Sequence, residues 1–320
     1  MSVIPVDFRA LPHEGFHFHA ELHEPQPALS AVRLGASLYV PANRPDLAAI
    51  ASGRKLPELR SVIFCTEDAV HERDLEQALA HLAALLPALE PGPLLRFIRP
   101  RNPAVLRRLL RMDGIERVQG FALPKFGPHT LGDWLRAWDD SYGHYVLPIL
   151  ETAEVFDRRR MALLCNRLED SGLSDQVLCL RIGGNDLLNL LGIRRARGAT
   201  IYDTPLRGVI ADLVCIFHPA GYRLNAPVFD HLDTPEVLAR EVDADLQHGL
   251  IGKTAIHPAQ IPVIETLYQV SRDDYDMASA VLAPDAAAVF KLHDTFCEPA
   301  THRRWAAGVL ERARVFGVGG

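Results

Sequence analysis

The feature that most constrains the fold of this chain is a regular alternation of short apolar runs with amphipathic segments. Eight runs have the length of buried strands, over residues 37–40, 62–66, 94–99, 120–124, 145–150, 177–182, 226–229 and 251–256. Between many of these runs, apolar residues recur at helical spacing, over 72–89, 104–111, 130–137, 154–171, 206–220 and 234–248. Such alternation is typical of βαβ units and a parallel sheet. Eight units predict an α/β fold of the (β/α)8 TIM-barrel class.

A doubly wound open sheet is the alternative architecture. Such folds often bind dinucleotides through a G-x-G-x-x-G motif after the first strand, and no such motif follows residue 40. The barrel is predicted to occupy residues 35–270. An N-terminal arm covers 1–34, and a helical extension, broken at Pro284 and Pro299, covers 271–320. The arm is rich in His, Pro and Glu, which suits either a metal-binding tract or an irregular arm packed on the barrel or on a neighbouring subunit.

Composition excludes several classes of function. A net charge of −6 argues against nucleic acid or an anionic membrane as the main partner. The five cysteines are scattered and form no C-x-x-C pair, as expected of reduced thiols rather than a disulfide framework or a zinc site. The N-terminus has no signal-peptide pattern, and no apolar run is long enough to span a membrane. We therefore expect a soluble, cytoplasmic protein.

Two acids follow apolar runs late in the barrel. Glu151 ends the run Y-V-L-P-I-L, and Asp186 follows V-L-C-L-R-I-G-G-N. The C-terminal strand ends of a (β/α)8 barrel converge on one mouth, where the chemistry occurs. Two carboxylates there are the minimum that holds a hard divalent cation and leaves room for a substrate. The sequence thus predicts a metal site at Glu151 and Asp186.

Other strand ends carry charged residues as well. Glu67 and Asp68 follow the second strand, either as functional acids or as partners of a helix N-terminus. Arg99 ends the third strand, where it suits bidentate capture of a carboxylate or a salt bridge at the rim. Lys125 follows the fourth strand and brings an ammonium to the same mouth.

Taken in chain order, these segments resemble the aldolase/citrate-lyase family, which includes the citrate lyase β-subunit and the malyl-CoA lyases. The resemblance covers residues 37 to 315, and its most specific motifs are E-D-A-V at 67–70 and G-K-T-A-I-H-P-A-Q at 252–260. The other matching segments are Y-V-P-A-N-R-P (39–45), I-R (98–99), L-P-K (123–125), L-E-T-A (150–153) and G-G-N-D-L (183–187).

This resemblance implies a Mg²⁺-dependent lyase or aldolase that cleaves or forms a C–C bond next to a 2-oxo acid, through a metal-stabilised enolate. It implies Glu151 and Asp186 as metal ligands and Arg99, Glu67 and Asp68 as the catalytic group. The substrate-binding residues that it implies are Arg99, Lys125, Asn43, Arg44, Gly184 and Asn185. The partner would be a small anionic 2-oxo acid or its thioester, and the protein a homo-oligomer (dimer, trimer or hexamer).

The chain departs from the usual family pattern at Cys65, Asn185 and the basic segment after Asp186. These features resemble more closely a bacterial branch described as TIM-barrel C–C bond lyases and associated with tellurium-resistance and stress gene clusters. Three arginines in the segment, Arg194, Arg195 and Arg197, either bind a phosphate or another anionic tail, or belong to a solvated loop.

Two rival functions remain open at the level of sequence. One is a metal-independent aldolase that forms a Schiff base on Lys125. The other is a non-catalytic barrel that binds a metal and a metabolite and acts with partner proteins, which the departures at Cys65, at Asn185 and in the basic segment after Asp186 favour. Turnover of a 2-hydroxy acid would separate this second rival from an enzyme.

Overall fold

The computed structural model describes residues 29–139 and 142–319. Its barrel strands are β1 (Ala36–Pro41), β2 (Ser61–Cys65), β3 (Leu95–Arg99), β4 (Gly120–Leu123), β5 (Tyr145–Leu150), β6 (Leu180–Ile182), β7 (Leu224–Asn225) and β8 (Lys253–Ala255). All pairings between them are parallel, in the order β7-β6-β5-β4-β3-β2-β1-β8. The sheet closes through a bridge between Ala226 and Lys253. The predicted TIM barrel is confirmed.

The helices between and after these strands are α1 (Leu47–Ala51), α2 (Leu75–Leu85), α3 (Pro103–Leu109), α4 (Leu131–Ala137), α5 (Arg158–Glu169), α6 (Gly184–Leu190), α7 (Leu206–Phe217), α8 (Pro235–Gln247) and α9 (Gln260–Leu267). The local sequence explains where two of these helices, α3 and α5, begin. Asn102 accepts a hydrogen bond from the Val105 amide at 3.0 Å, with Pro103 in the first turn of α3. The Asp157 carboxylate caps α5 through the Arg159 amide at 2.9 Å.

The seventh strand lies earlier than predicted. The sequence run at 226–229 was expected to form it, but β7 comprises Leu224–Asn225 and ends before Pro227. Proline has no amide hydrogen to donate to a ladder, so pairing stops after the Ala226 amide bonds the Gly252 carbonyl at 2.8 Å. The short helices α1, α6 and α9 were also absent from the prediction, because none of them carries a long apolar periodicity.

Beyond the barrel, the chain forms β9 (Val270–Ser271), α10 (Arg272–Leu282), a hairpin of β10 (Phe290–Leu292) and β11 (Thr295–Cys297), α11 (Pro299–Phe316) and β12 (Val318–Gly319), which pairs with β9. The prediction of C-terminal helices is confirmed, since α10 ends before Pro284 and α11 begins at Pro299. The hairpin was not predicted. Its two-residue turn, His293-Asp294, has positive φ at both positions, as tight hairpins require. These elements share a small apolar core of their own, comprising Val270, Ala278, Val281, Cys297, Ala306 and Val309.

Most of the predicted N-terminal arm lies outside the described residues. Its last part, Ala31–Leu34, forms a short 3-10 helix that Ser30 caps, and Leu34 is fully buried against the barrel. The division of the chain at residues 34 and 270 stays a prediction. Within the described ranges, no helix combines the length and apolar character needed to cross a bilayer.

Candidate active site

A pocket of about 380 Å³ opens at the C-terminal ends of the barrel strands. Charged and polar side chains from five strands or strand ends reach it: Tyr39, Arg99, Glu151, Arg181, Asp186 and Thr254. A slightly larger cavity, of about 430 Å³, lies at the opposite end of the barrel against α11, away from these strand ends. The mouth pocket is therefore where the predicted acids, Glu151 and Asp186, meet.

Glu151 follows β5 directly and is almost completely buried. Its Oε1 accepts a hydrogen bond from the Lys125 amide at 2.7 Å, which fixes the carboxylate at the mouth. Burial, together with the nearby charge of Asp186, raises the pKa of Glu151 to about 7. Burial also raises the pKa of Asp186, which lies in the first turn of α6. Two acids with raised pKa values at one pocket form a site where a cation would be favourable.

Gly183 allows these acids to come together. A Cβ at this position would collide with the Cβ and Oε2 of Glu151, so only glycine permits the close approach of the two strand ends. The next residue, Gly184, is similarly close to Pro227. The Gly-Gly pair is thus a steric requirement of the mouth, and Gly184 itself lines the pocket.

Lys125 has an unusual backbone for a non-glycine residue, with φ of 50°. This left-handed conformation points its amide at Glu151 and its ammonium at Glu67, with which it forms an ion pair. Burial would lower the pKa of Lys125, but the hydrogen bond to Glu67 and the charges of Glu67 and Asp68 raise it. The amine is therefore held protonated.

Arg99 is the best-anchored cation of the mouth. Its Nη2 lies 2.9 Å from Oε2 of Glu67 and 3.4 Å from Oδ2 of Asp68, and its Nε donates to Cys65 Sγ at 3.3 Å. Cys65 thus accepts from the arginine at the position where the family pattern has an acid. No hydrogen bond from the described residues engages Nη1 of Arg99, which leaves this nitrogen for a ligand.

Glu67 and Asp68 differ although they are adjacent. Glu67 is buried, which would raise its pKa, but Arg99 and the hydrogen bonds from Asp68 and Lys125 outweigh burial and lower it. Asp68 is half exposed, and its pKa is raised first by burial and then by the hydrogen bond with Glu67 and the charge of Glu67. Glu67 is consequently favoured as an anion and positions Arg99 and Lys125, whereas Asp68 faces the pocket.

The structure adds two residues that sequence reasoning missed, Arg181 and Tyr39. Arg181 is 1% exposed, lines the floor of the pocket, and donates to Thr254 Oγ1 at 2.7 Å and to Ser37 Oγ at 3.3 Å. The ring of Tyr39 lies 5.4 Å from the guanidinium of Arg181 and 5.2 Å from that of Arg99. The available signal was an arginine inside an otherwise apolar strand, two residues before Gly183.

Other predicted substrate-binding residues lie at the rim or outside the pocket. Asn185 lines the pocket but is exposed, and its amide donates to Asp230 at 2.7 Å. Arg44 is exposed, and both arms of its guanidinium bind Asp46 at 2.8 Å. The described pocket lining contains neither Arg44 nor Asn43. A role for Arg44 would require it to leave Asp46.

The sequence profile of a family described as C–C bond lyases of the TIM-barrel fold matches residues 28–318. The chain belongs to this family. The prediction of a carbon–carbon lyase is thereby confirmed, and the exact substrate is not given by the match. The comparison of this chain with curated proteins found no match.

Solved structures agree with the fold of the lyase. It is similar to CitE from Mycobacterium tuberculosis, crystallised with magnesium, acetoacetate and coenzyme A, at a TM-score of 0.65 and 24% identity over 88% of this chain and 99% of that chain. It is also similar to the citrate lyase beta subunit from M. tuberculosis complexed with oxaloacetate and magnesium (TM-score 0.57, 22% identity, 75% and 99% coverage). A third similar structure is RipC from Yersinia pestis, with a TM-score of 0.55 and 21% identity over 74% of this chain and 96% of that chain.

In the lyase, the three arginines after α6 do not form one cluster. Arg195 is buried, with Nη1 2.7 Å from Oε2 of Glu241 and Nη2 donating to the Val228 carbonyl at 2.8 Å. Arg197 is exposed and paired with Asp233, and Arg194 is exposed. Neither alternative, an anion site or a solvated loop, describes Arg195, because its guanidinium is already committed to a buried carboxylate. For Arg194 and Arg197 both alternatives stay predictions.

Arg195 belongs to a buried ion cluster that also includes Glu241, Asp245, Lys253 and Tyr202. Lys253 Nζ lies 2.9 Å from Glu241 and 2.8 Å from Asp245, and the Tyr202 hydroxyl donates to Asp245 at 2.7 Å. Lys253 and its two carboxylate partners are all fully buried between β8 and α8. Lys253, part of the most specific sequence motif, is thus held by this cluster and not by the pocket.

Proposed function

We propose that this lyase uses Mg²⁺, held by Glu151 and Asp186, to cleave or form a C–C bond next to a 2-oxo acid. The observation that carries the proposal is the buried Glu151 carboxylate, with its pKa raised to about 7 first by burial and then by Asp186, at the mouth of the barrel. Such a pair is unfavourable alone and favourable around a divalent cation. The magnesium in the solved citrate lyase neighbours supports this choice of metal.

The residues present fit a magnesium ion. Within the described residues, no group of three or more His, Cys, Asp or Glu side chains is arranged to hold a metal. Mg²⁺ commonly binds one or two carboxylates and fills its remaining positions with water and substrate oxygens, so two acids suffice. When bound, the ion would polarise a substrate carbonyl and offset the negative charge that develops on its oxygen.

The charges at the mouth support an anionic substrate. Four carboxylates (Glu67, Asp68, Glu151, Asp186) face three cations (Arg99, Lys125, Arg181). A divalent cation would therefore turn a net charge of about −1 into about +1, which attracts a 2-oxo acid or its thioester. Arg99, fixed by Glu67 and Cys65, would direct its free Nη1 at the substrate, where preorganised charge stabilises a developing anion.

The protonation of Lys125 argues against the Schiff-base alternative. A lysine nucleophile needs a free amine, which enzymes obtain by lowering the pKa of the ammonium. Here the ion pair with Glu67 raises it. The departures that favoured a non-catalytic barrel also have structural partners, since Cys65 binds Arg99 and Arg195 binds Glu241.

Titration calorimetry with Mg²⁺ tests the proposal. Glu151→Gln and Asp186→Asn should each weaken Mg²⁺ binding at least about 100-fold, because each removes one of two anionic ligands. Glu154→Gln is the matched control, since Glu154 lies three residues from Glu151 but pairs with His129 and Arg160. Equal Mg²⁺ affinity in the parent and both mouth variants would refute the metal assignment.

A further inference from the structure

Arg181 is a buried cation without a buried anion. Its side chain comes from the inward face of β6 and is among the largest fully buried side chains of the molecule. Among the described residues its guanidinium donates to two neutral hydroxyls, those of Ser37 and Thr254, and its Nε has no partner. No carboxylate from the described part of the chain forms an ion pair with it.

Arg99, the other arginine of the pocket, differs in this respect. Arg99 occupies the same pocket and stacks on the same tyrosine, but it is balanced by Glu67 and Asp68. Tyr39 cannot serve as the counter-ion of Arg181, because burial raises the pKa of its phenol and keeps it neutral despite both arginines. A charge removed from water is strongly unfavourable unless an opposite charge or a full set of hydrogen bonds compensates it. The missing anion must come from the pocket side.

The position of Arg181 relative to Glu151 indicates which part of a bound molecule would supply this anion. Arg181 pairs in register with Ile149, two residues before Glu151, and Gly183 lies against Glu151 itself. Two residues along a strand span about 6.5 Å, so the guanidinium lies one layer below the carboxylates that would hold the metal. A molecule of four or five carbons, with a hydrogen bond at each end, can bridge this separation.

We propose that Arg181, oriented by Thr254 and Ser37, binds a second carboxylate of the substrate, which is accordingly a 2-oxo dicarboxylic acid or a thioester that yields one. This inference rests on the proposed function, in which the first carboxylate and the oxo group lie beside Glu151 and Asp186. Arg181 thereby selects a diacid over a monoacid in the pocket. It is a specificity-determining residue, distinct from Arg99, which serves the reacting end.

Binding of two acids that differ by one carboxylate tests this assignment. Calorimetry with freshly dissolved oxaloacetate and with pyruvate, each with excess Mg²⁺, should show oxaloacetate at least about tenfold tighter in the parent, because a charge-assisted hydrogen bond is added. Arg181→Gln should remove this preference and leave pyruvate affinity within about twofold. Arg181→Lys should keep part of the preference, since it retains the charge but not the planar fork.

Arg96→Gln is the control for loss of a buried arginine. Arg96 lies on β3, is 4% exposed, and donates to the carbonyls of Ala51 and Glu90 away from the mouth. This variant should keep the full preference for oxaloacetate. Circular dichroism and a melting curve would confirm that each variant is folded before its affinities are compared.

The outcomes separate this inference from the proposed function. An unchanged preference in Arg181→Gln, or an equal loss of affinity for both acids, overturns the role of Arg181 alone. A preference that depends on Arg181 but not on Mg²⁺ contradicts the metal assignment and supports Arg181. Binding of neither acid by the folded parent overturns both.

Discussion

The barrel contains two charged clusters, and they are built in opposite ways. The buried ion cluster of Lys253, Glu241, Asp245, Arg195 and Tyr202 is closed, since each carboxylate has a cation or a donor within 2.9 Å. At the mouth, Arg181 has no anion and Glu151 has a pKa raised to about 7 by burial and Asp186. Charges that satisfy each other stabilise a fold, whereas charges left unbalanced at a pocket indicate a ligand.

The largest expected effect comes from opening the closed cluster. Lys253→Met should lower the free energy of unfolding by about 3 to 5 kcal/mol, because Asp245 would lose its cation while remaining buried. The measurement is urea denaturation followed by circular dichroism. Lys125→Met is the matched substitution at the mouth. It should lower the free energy of unfolding by about 1 kcal/mol or less, since Lys125 is half exposed and Glu67 still pairs with Arg99. Similar losses in both variants would erase the contrast.

A smaller effect, with a defined pH dependence, is expected at Glu151. Its pKa is raised from 4.5 to about 7, so its protonated form contributes stability below about pH 4.5 that is lost as the pH rises through 7. At 1.36 kcal/mol per pKa unit, this amounts to about 3 kcal/mol. In EDTA, Glu151→Gln should therefore resemble the parent near pH 4 and exceed its stability by up to about 3 kcal/mol near pH 8.

Mg²⁺ sharpens this prediction. Addition of Mg²⁺ at pH 8 should raise the melting temperature of the parent and leave Glu151→Gln unchanged, because only the parent retains both carboxylates. A stability difference between the two proteins that is independent of pH would show that the Glu151 carboxylate is not destabilised by its surroundings.

The two clusters also show what sequence can and cannot predict. The barrel and the acids at its mouth follow from local patterns, since strand ends converge wherever strands and helices alternate. Arg181 was missed because Leu180 and Ile182 flank it in an apolar run, and only the register reveals that it faces the pocket. Arg195 was taken for a loop cation because its partner, Glu241, is 46 residues away on α8. Contacts of such separation leave no local signal.

The smallest effect is expected from the exposed arginines that flank the closed cluster. Arg194 and Arg197 are on the surface, and Arg197 pairs with Asp233, so a double change to glutamine should alter stability by no more than about 0.5 kcal/mol.

If these two arginines bind the phosphates of a thioester substrate, the same change should weaken binding of coenzyme A and reduce its salt dependence, because exposed charges are screened over about 8 to 10 Å. Arg195→Gln would instead lower stability by about 3 kcal/mol or more, through loss of the ion pair with Glu241. Coenzyme A affinity that falls with salt equally in the parent and the double variant would place Arg194 and Arg197 outside the binding surface.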